Sequence, residues 1–90
     1  PGGIERAEEL ARRRHEARER ILATIELGAF GPVFQPIIEL GGLTVVGYEA
    51  LTRFADGSRP DEMFATAIQC DLGAALERVT LAAALAGARA

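Results

Sequence analysis

Three polar side chains stand inside an otherwise apolar stretch of the chain, QPIIELGGLTVVGYEALTRF over residues 35–54: Gln35, Glu49 and Arg53. A carboxylate and a guanidinium are costly in a buried or half-buried strand unless each has a partner. If this stretch is extended, Glu49, Leu51 and Arg53 alternate onto one face of it. Four residues of strand span about 13 Å, too far for Glu49 and Arg53 to neutralise each other directly. The chemistry that suits this spacing is a grip on separate parts of one extended anionic ligand.

Other reactive side chains carry less. Cys70 is the only cysteine, cannot form an internal disulfide, and has no basic partner in sequence that would make it a nucleophile; it reads as a small packed residue. His15 lies in a charged run without a second ligand at metal spacing and reads as solvated. Arg12, Arg13 and Arg14 are balanced by Glu8, Glu9, Glu16 and Glu19, the pattern of a solvated helix face.

The elements that must position Gln35, Glu49 and Arg53 follow from local pattern. Gly41-Gly42 is a hairpin signal between two β-rich runs, Val33 to Leu40 and Leu43 or Thr44 to Phe54, so the strands are antiparallel. Pro36 implies that strand one is not fully paired on one side. For Gln35 to face Glu49, the connection needs an odd number of residues, such as Gly41 to Leu43 with a bulge; a strict two-residue turn puts Gln35 on the other face.

Ahead of the hairpin, Pro1-Gly2-Gly3 reads as a flexible lead-in and Ile4 to Leu27 as one long helix stopped by Gly28. Its first half is mostly Arg and Glu and should project. Its second half gains Ile21, Leu22, Ile25 and Leu27 and should dock on a core. Ala7, Leu10, Ala17, Ile21 and Thr24 nearly fit a heptad interrupted by Arg14, so a coiled-coil dimer and a solvated helix both remain open. After the hairpin, Pro60 starts a helix to about Asp71 that buries Met63, Phe64, Ala67 and Ile68. Gly73 breaks it, and a second helix runs from Ala74 to Ala88.

Composition bounds the function. The sequence has 90 residues, 49% of them hydrophobic, and a net charge of −3, which fits a small globular domain or part of a larger one. The slight acidity gives no support for nucleic-acid binding. No apolar run approaches a membrane span, and the charged N-terminus is unlike a signal peptide; a cytoplasmic address is the expectation.

FQPI followed by GYEALTRF resembles the opening of EAL domains, bacterial domains that hydrolyse cyclic di-GMP, with Glu49-Ala50-Leu51 as the naming tripeptide. The resemblance covers roughly residues 18–90, including ARERILATIELGAF, Pro60, Phe64 and LERVTLAAALAGA. It implies an α/β fold, the opening part of a modified TIM barrel whose first strand runs antiparallel to the rest: long helix, hairpin, two helices. It also implies roles. Glu49 would ligate Mg²⁺ or Mn²⁺, Arg53 would hold a phosphate of cyclic di-GMP, and Gln35 and Leu51 would line the nucleotide pocket. The product would be linear pGpG. The Ala-Glu pair common in the helix after strand two is missing from ATAIQCDLG, and the loop after Arg53 is short.

A barrel needs about 250 residues. The family's other metal-binding carboxylates, including an Asp-Asp pair, and its catalytic lysine have no counterpart in these 90 residues. The expected organisation is a linker or signalling helix over 1–17 and the N-terminal portion of an EAL domain over 18–90, inactive by itself. An upstream sensory or GGDEF-type domain is compatible with the helix. A second copy or the remainder of the barrel would cover the open edges. The alternative is a degenerate EAL domain acting as a non-catalytic cyclic di-GMP receptor or interaction module.

Overall fold

The computed structural model describes residues 2–89. Helix α1 (Gly2–Leu27) leads into strand β1 (Phe30–Glu39), strand β2 (Thr44–Phe54), helix α2 (Pro60–Gln69) and helix α3 (Gly73–Arg89). The strands form one antiparallel two-stranded sheet. Gly2 and Gly3 belong to α1 rather than to a lead-in, and Pro1 lies outside the described residues.

The helix boundaries around the hairpin have local causes. At the end of α1, Gly28 takes φ +61°. Its N–H bonds the Ile25 carbonyl at 3.2 Å, and the Ala29 N–H bonds the Thr24 carbonyl at 3.1 Å, a Schellman closure. Pro60 opens α2, with Asp61 and Glu62 in the first turn beside the positive end of the helix dipole.

The sequence pattern places the break between α2 and α3 at Gly73, but it falls two residues earlier. Asp71 adopts φ +59° and closes α2 by the same pair of bonds, Asp71 N–H to Ile68 O and Leu72 N–H to Ala67 O. Gly73 is instead the first residue of α3. Its missing side chain is explained by Ile68: a Cβ at 73 would lie 2.8 Å from Ile68 Cγ1.

The core lies where the second half of α1 meets α2, the start of α3 and the end of β2. Ile21, Met63 and Leu76 are fully enclosed there, with Phe54, Ala67, Cys70 and Leu72 around them. Phe54 stacks edge-to-face on both Phe30 and Phe64, with ring centroids 6.4 and 6.0 Å apart. The Met63 and Ala67 side of α2 is buried as expected, whereas Ile68 is 65% exposed over the turn. Leu76 is enclosed but Leu81 and Leu85 are exposed, so α3 buries its N-terminal half more fully.

The first half of α1 projects past this core. Ile4 and Leu10 are exposed, while Ile21 and Thr24 are buried, so part of the heptad stripe is already used within the chain. The Arg12 and Arg13 side chains pair with Glu9 and Glu16 on the same helix. Arg14 reaches Asp71 at 3.5 Å, and Arg18 donates to the Cys70 carbonyl. These two arginines tie the helix to the α2–α3 turn. The result is an elongated molecule, 66 × 27 × 20 Å, with a radius of gyration of 17.6 Å. A compact chain of this length would have about 12 Å.

Two consequences are measurable. A Cβ at Gly87 of α3 would lie 3.1 Å from both the Phe34 ring and Pro32 Cγ, two rigid neighbours. Gly87→Val should therefore destabilise by about 1–3 kcal/mol, more than the helix propensity it gains; a thermal midpoint equal to or above that of the wild type contradicts this packing. On α1, Arg12 and then Arg13 hold the Glu9 carboxyl below its ordinary range. A depressed folded value means that the contribution is present above the usual glutamate pKa of about 4.3 and is lost as pH falls through the lower folded value. Helicity by circular dichroism should thus decline on acidification through that range, and Glu9→Gln should remove that part of the decline.

Candidate ligand-binding face of the hairpin

The site is built by one residue of register. At the tip, Glu39 pairs with Thr44 and Ile38 with Val45, leaving a four-residue connection from Leu40 to Leu43. Leu43 takes the left-handed conformation, φ +56°, and its N–H bonds the Glu39 carbonyl at 2.8 Å. Below the tip, Ile37 pairs with Gly47, so Val46 is an extra residue in β2. This β-bulge brings Gln35 directly opposite Glu49. The extra residue lies inside the strand rather than in an odd-numbered connection, but the pairing is the one the sequence predicts.

From this register the faces can be read. Gly31, Val33, Gln35 and Ile37 of β1 stand opposite Arg53, Leu51, Glu49 and Gly47 of β2 and share one face. The other face carries Pro32, Phe34, Ala50, Thr52 and Phe54, and α3 lies on it with Gly87 against Pro32 and Phe34. The helices therefore cover one side of the hairpin only. On the uncovered side, Gln35, Glu49 and Arg53 are exposed and Leu51 is half-buried. Val33 and Ile37 are 40% and 49% exposed, a large apolar area for a strand face without a neighbour.

The expected polar trio is thus brought to one face, in a line from Gln35 and Glu49 to Arg53. Burial does not force partners on them, as the sequence reading supposed, because the face is open. Among the described residues, neither Glu49 nor Arg53 has an ion-pair partner. Arg53 stands opposite Gly31, which has no side chain, and contributes to a shallow depression with Gly28, Ala29, Phe30, Phe54 and Ala55. That depression gives its guanidinium room to meet an anion.

Glu49 suits a hard cation as a single carboxylate ligand. A catalytic centre of one or two such ions needs more ligands. Among the described residues, no group of three or more His, Cys, Asp or Glu gathers at one point. The residues present therefore fit one ligand of a metal site and not the whole of it, and no metal-dependent step is derived from them. Cys70 is buried at the α1–α2 contact, and His15 is exposed on the projecting half of α1; neither approaches the trio. The sequence reading locates the turn itself at Gly41-Gly42; what it does not single out is the exposure of Leu40, Leu43, Val45 and Val46 around it and the left-handed conformation of Leu43.

Among the described residues, no helix is long and apolar enough to cross a membrane. No curated protein and no solved structure matches the chain. The family model for the EAL domain matches residues 5–90, nearly all of the sequence and the whole of the hairpin that carries Gln35, Glu49 and Arg53. With its FQPI and GYEALTRF segments facing each other across that hairpin, the chain belongs to the EAL domain family, the family of cyclic di-GMP phosphodiesterases.

Proposed function

We propose that this chain is the opening portion of a cyclic di-GMP phosphodiesterase, supplying one wall of its nucleotide site. The carrying observation is the one-sided hairpin. In a TIM barrel the helices lie outside and the strand side chains of the opposite face fill the interior. Here the helix-free face holds Gln35, Glu49, Leu51 and Arg53 beside apolar Val33 and Ile37, a composition suited to a barrel interior. Arg53 lies towards the C-terminal end of β2, the end at which such barrels bind their substrates.

In this reading Arg53 holds a phosphate of cyclic di-GMP through charge-assisted hydrogen bonds. Gln35 and Leu51 contact the nucleotide, and Glu49 supplies one carboxylate to Mg²⁺ or Mn²⁺. In a complete domain, with Glu49 among its ligands, such a cation would supply Lewis-acid activation of water for hydrolysis of cyclic di-GMP to pGpG. The remaining ligands and the proton-transfer groups come from outside these 90 residues, so the isolated chain is inactive. The exposed first half of α1 serves as a linker or signalling helix, and the packed second half begins the domain. An intracellular second messenger as substrate agrees with a cytoplasmic address. The missing glutamate in ATAIQCDLG favours one second reading, a domain that binds cyclic di-GMP without hydrolysing it.

Turnover of cyclic di-GMP with Mg²⁺ or Mn²⁺ separates these readings when the 90-residue chain is compared with a complete domain containing it. The complete domain should hydrolyse and the 90-residue chain should not. Binding without hydrolysis in the complete domain supports the receptor reading, and neither binding nor hydrolysis contradicts both. In the complete domain, Arg53→Ala should weaken nucleotide binding about 10- to 100-fold, as expected for loss of a hydrogen bond to a charged group. In the 90-residue chain, held dilute enough to be monomeric, Glu49→Gln and Arg53→Ala should each change stability by less than about 0.5 kcal/mol, because both positions are exposed and, among the described residues, without an ion-pair partner. A larger loss would assign them a structural role.

A further inference from the structure

The two edges of the hairpin are not equivalent. The Ala55 N–H bonds the Ala29 carbonyl at 2.9 Å, immediately beyond the Phe30–Phe54 pair. Alternation along an antiparallel ladder then makes Gly31–Arg53, Val33–Leu51 and Gln35–Glu49 hydrogen-bonded pairs, and Pro32–Thr52, Phe34–Ala50 and Pro36–Tyr48 non-hydrogen-bonded ones. Pro32 and Pro36 thus turn their nitrogens, which carry no hydrogen, to the outer edge of β1. That edge resists addition of a strand. β2 contains no proline, and the backbone groups of Tyr48, Ala50 and Thr52 face its outer edge. The edge that accepts a further strand is that of β2.

This edge is its own complement. When two copies of β2 run antiparallel about Leu51, Glu49 of each faces Arg53 of the other, and Leu51 faces Leu51. On the opposite side Ala50 faces Thr52, and Tyr48 stands across from Phe54, whose ring is already enclosed in the core. A parallel, in-register pairing would oppose like charges instead. Within one chain Glu49 and Arg53 are about 13 Å apart along the strand and, among the described residues, have no charge partner. Leu81 of α3, 61% exposed, lines a groove with Ala50 and Thr52, so apolar surface continues from this strand onto the helix.

We propose that the 90-residue chain self-associates through β2, antiparallel and centred on Leu51, to form a four-stranded sheet in which Glu49 and Arg53 pair between copies. A complete barrel closes its sheet and leaves no such edge, so self-pairing and barrel closure exclude each other. This self-pairing does not depend on the nucleotide reading.

Sedimentation velocity over a concentration series, with circular dichroism to verify folding, tests it. The wild-type chain should pass from monomer to dimer. Glu49→Arg or Arg53→Glu alone opposes like charges and should weaken association about tenfold or more. The double variant E49R/R53E restores complementarity and should restore the dimer. A second measurement holds even if the charge variants fold poorly. At a non-hydrogen-bonded pair the two Leu51 Cα atoms would lie about 4.5 Å apart. In a Cys70→Ala background, Leu51→Cys should therefore give a disulfide-linked dimer on oxidation, and Val33→Cys should not. A wild-type monomer at every concentration, single reversals without effect, failure of the double variant to recover, or no crosslink at position 51 would each overturn the proposal.

Discussion

One extra residue in β2 decides what the hairpin presents. The tip pairs Ile38 with Val45, and that spacing carried straight along the strands would put Ile37 against Val46, Pro36 against Gly47 and Gln35 against Tyr48. Gln35 would then share a face with Tyr48, and Glu49 and Arg53 would stand on the other side. The bulge at Val46 shifts every pair below it by one, and Gln35 meets Glu49. The composition of the polar face rests on that shift, because strand side chains have only two directions to choose from.

The same shift assigns Pro32, Phe34, Ala50, Thr52 and Phe54 to the face on which the helices lie. Phe54 anchors that face to the core through Phe30 and Phe64. Gly87 allows α3 to come down on Pro32 and Phe34. Arg14 and Arg18 fasten α1 to the α2–α3 turn, so the long helix and the strand that carries Glu49 are joined through one small core. Among the described residues the opposite face has no such cover, and it retains exposed apolar area between its polar groups.

Much of this was legible in the residues. The long helix, the two β-rich runs around Gly41-Gly42 and the proline-led helix at Pro60 follow from local pattern. The alternation of Glu49, Leu51 and Arg53 follows from strand geometry alone. Two features were less legible because local propensity points elsewhere. Gly73 reads as a helix stop, but Asp71 takes the left-handed position and the glycine makes room for Ile68. The need for an extra residue was apparent, but not that Leu43 would take the turn conformation and leave the bulge to Val46. The exposure of Glu49 and Arg53 was also hidden, since apolar flanks suggest burial and only the one-sided packing of the helices leaves that face open.

The central claim is the pairing of Gln35 with Glu49, and nuclear magnetic resonance reads it directly. Non-hydrogen-bonded antiparallel pairs bring opposing Hα atoms close. The register predicts an Hα–Hα contact between Phe34 and Ala50, with extended-strand chemical shifts from Tyr48 to Phe54. A contact between Phe34 and Glu49 in its place, or helical shifts over that stretch, would separate Gln35 from the acid and the guanidinium and contradict the account.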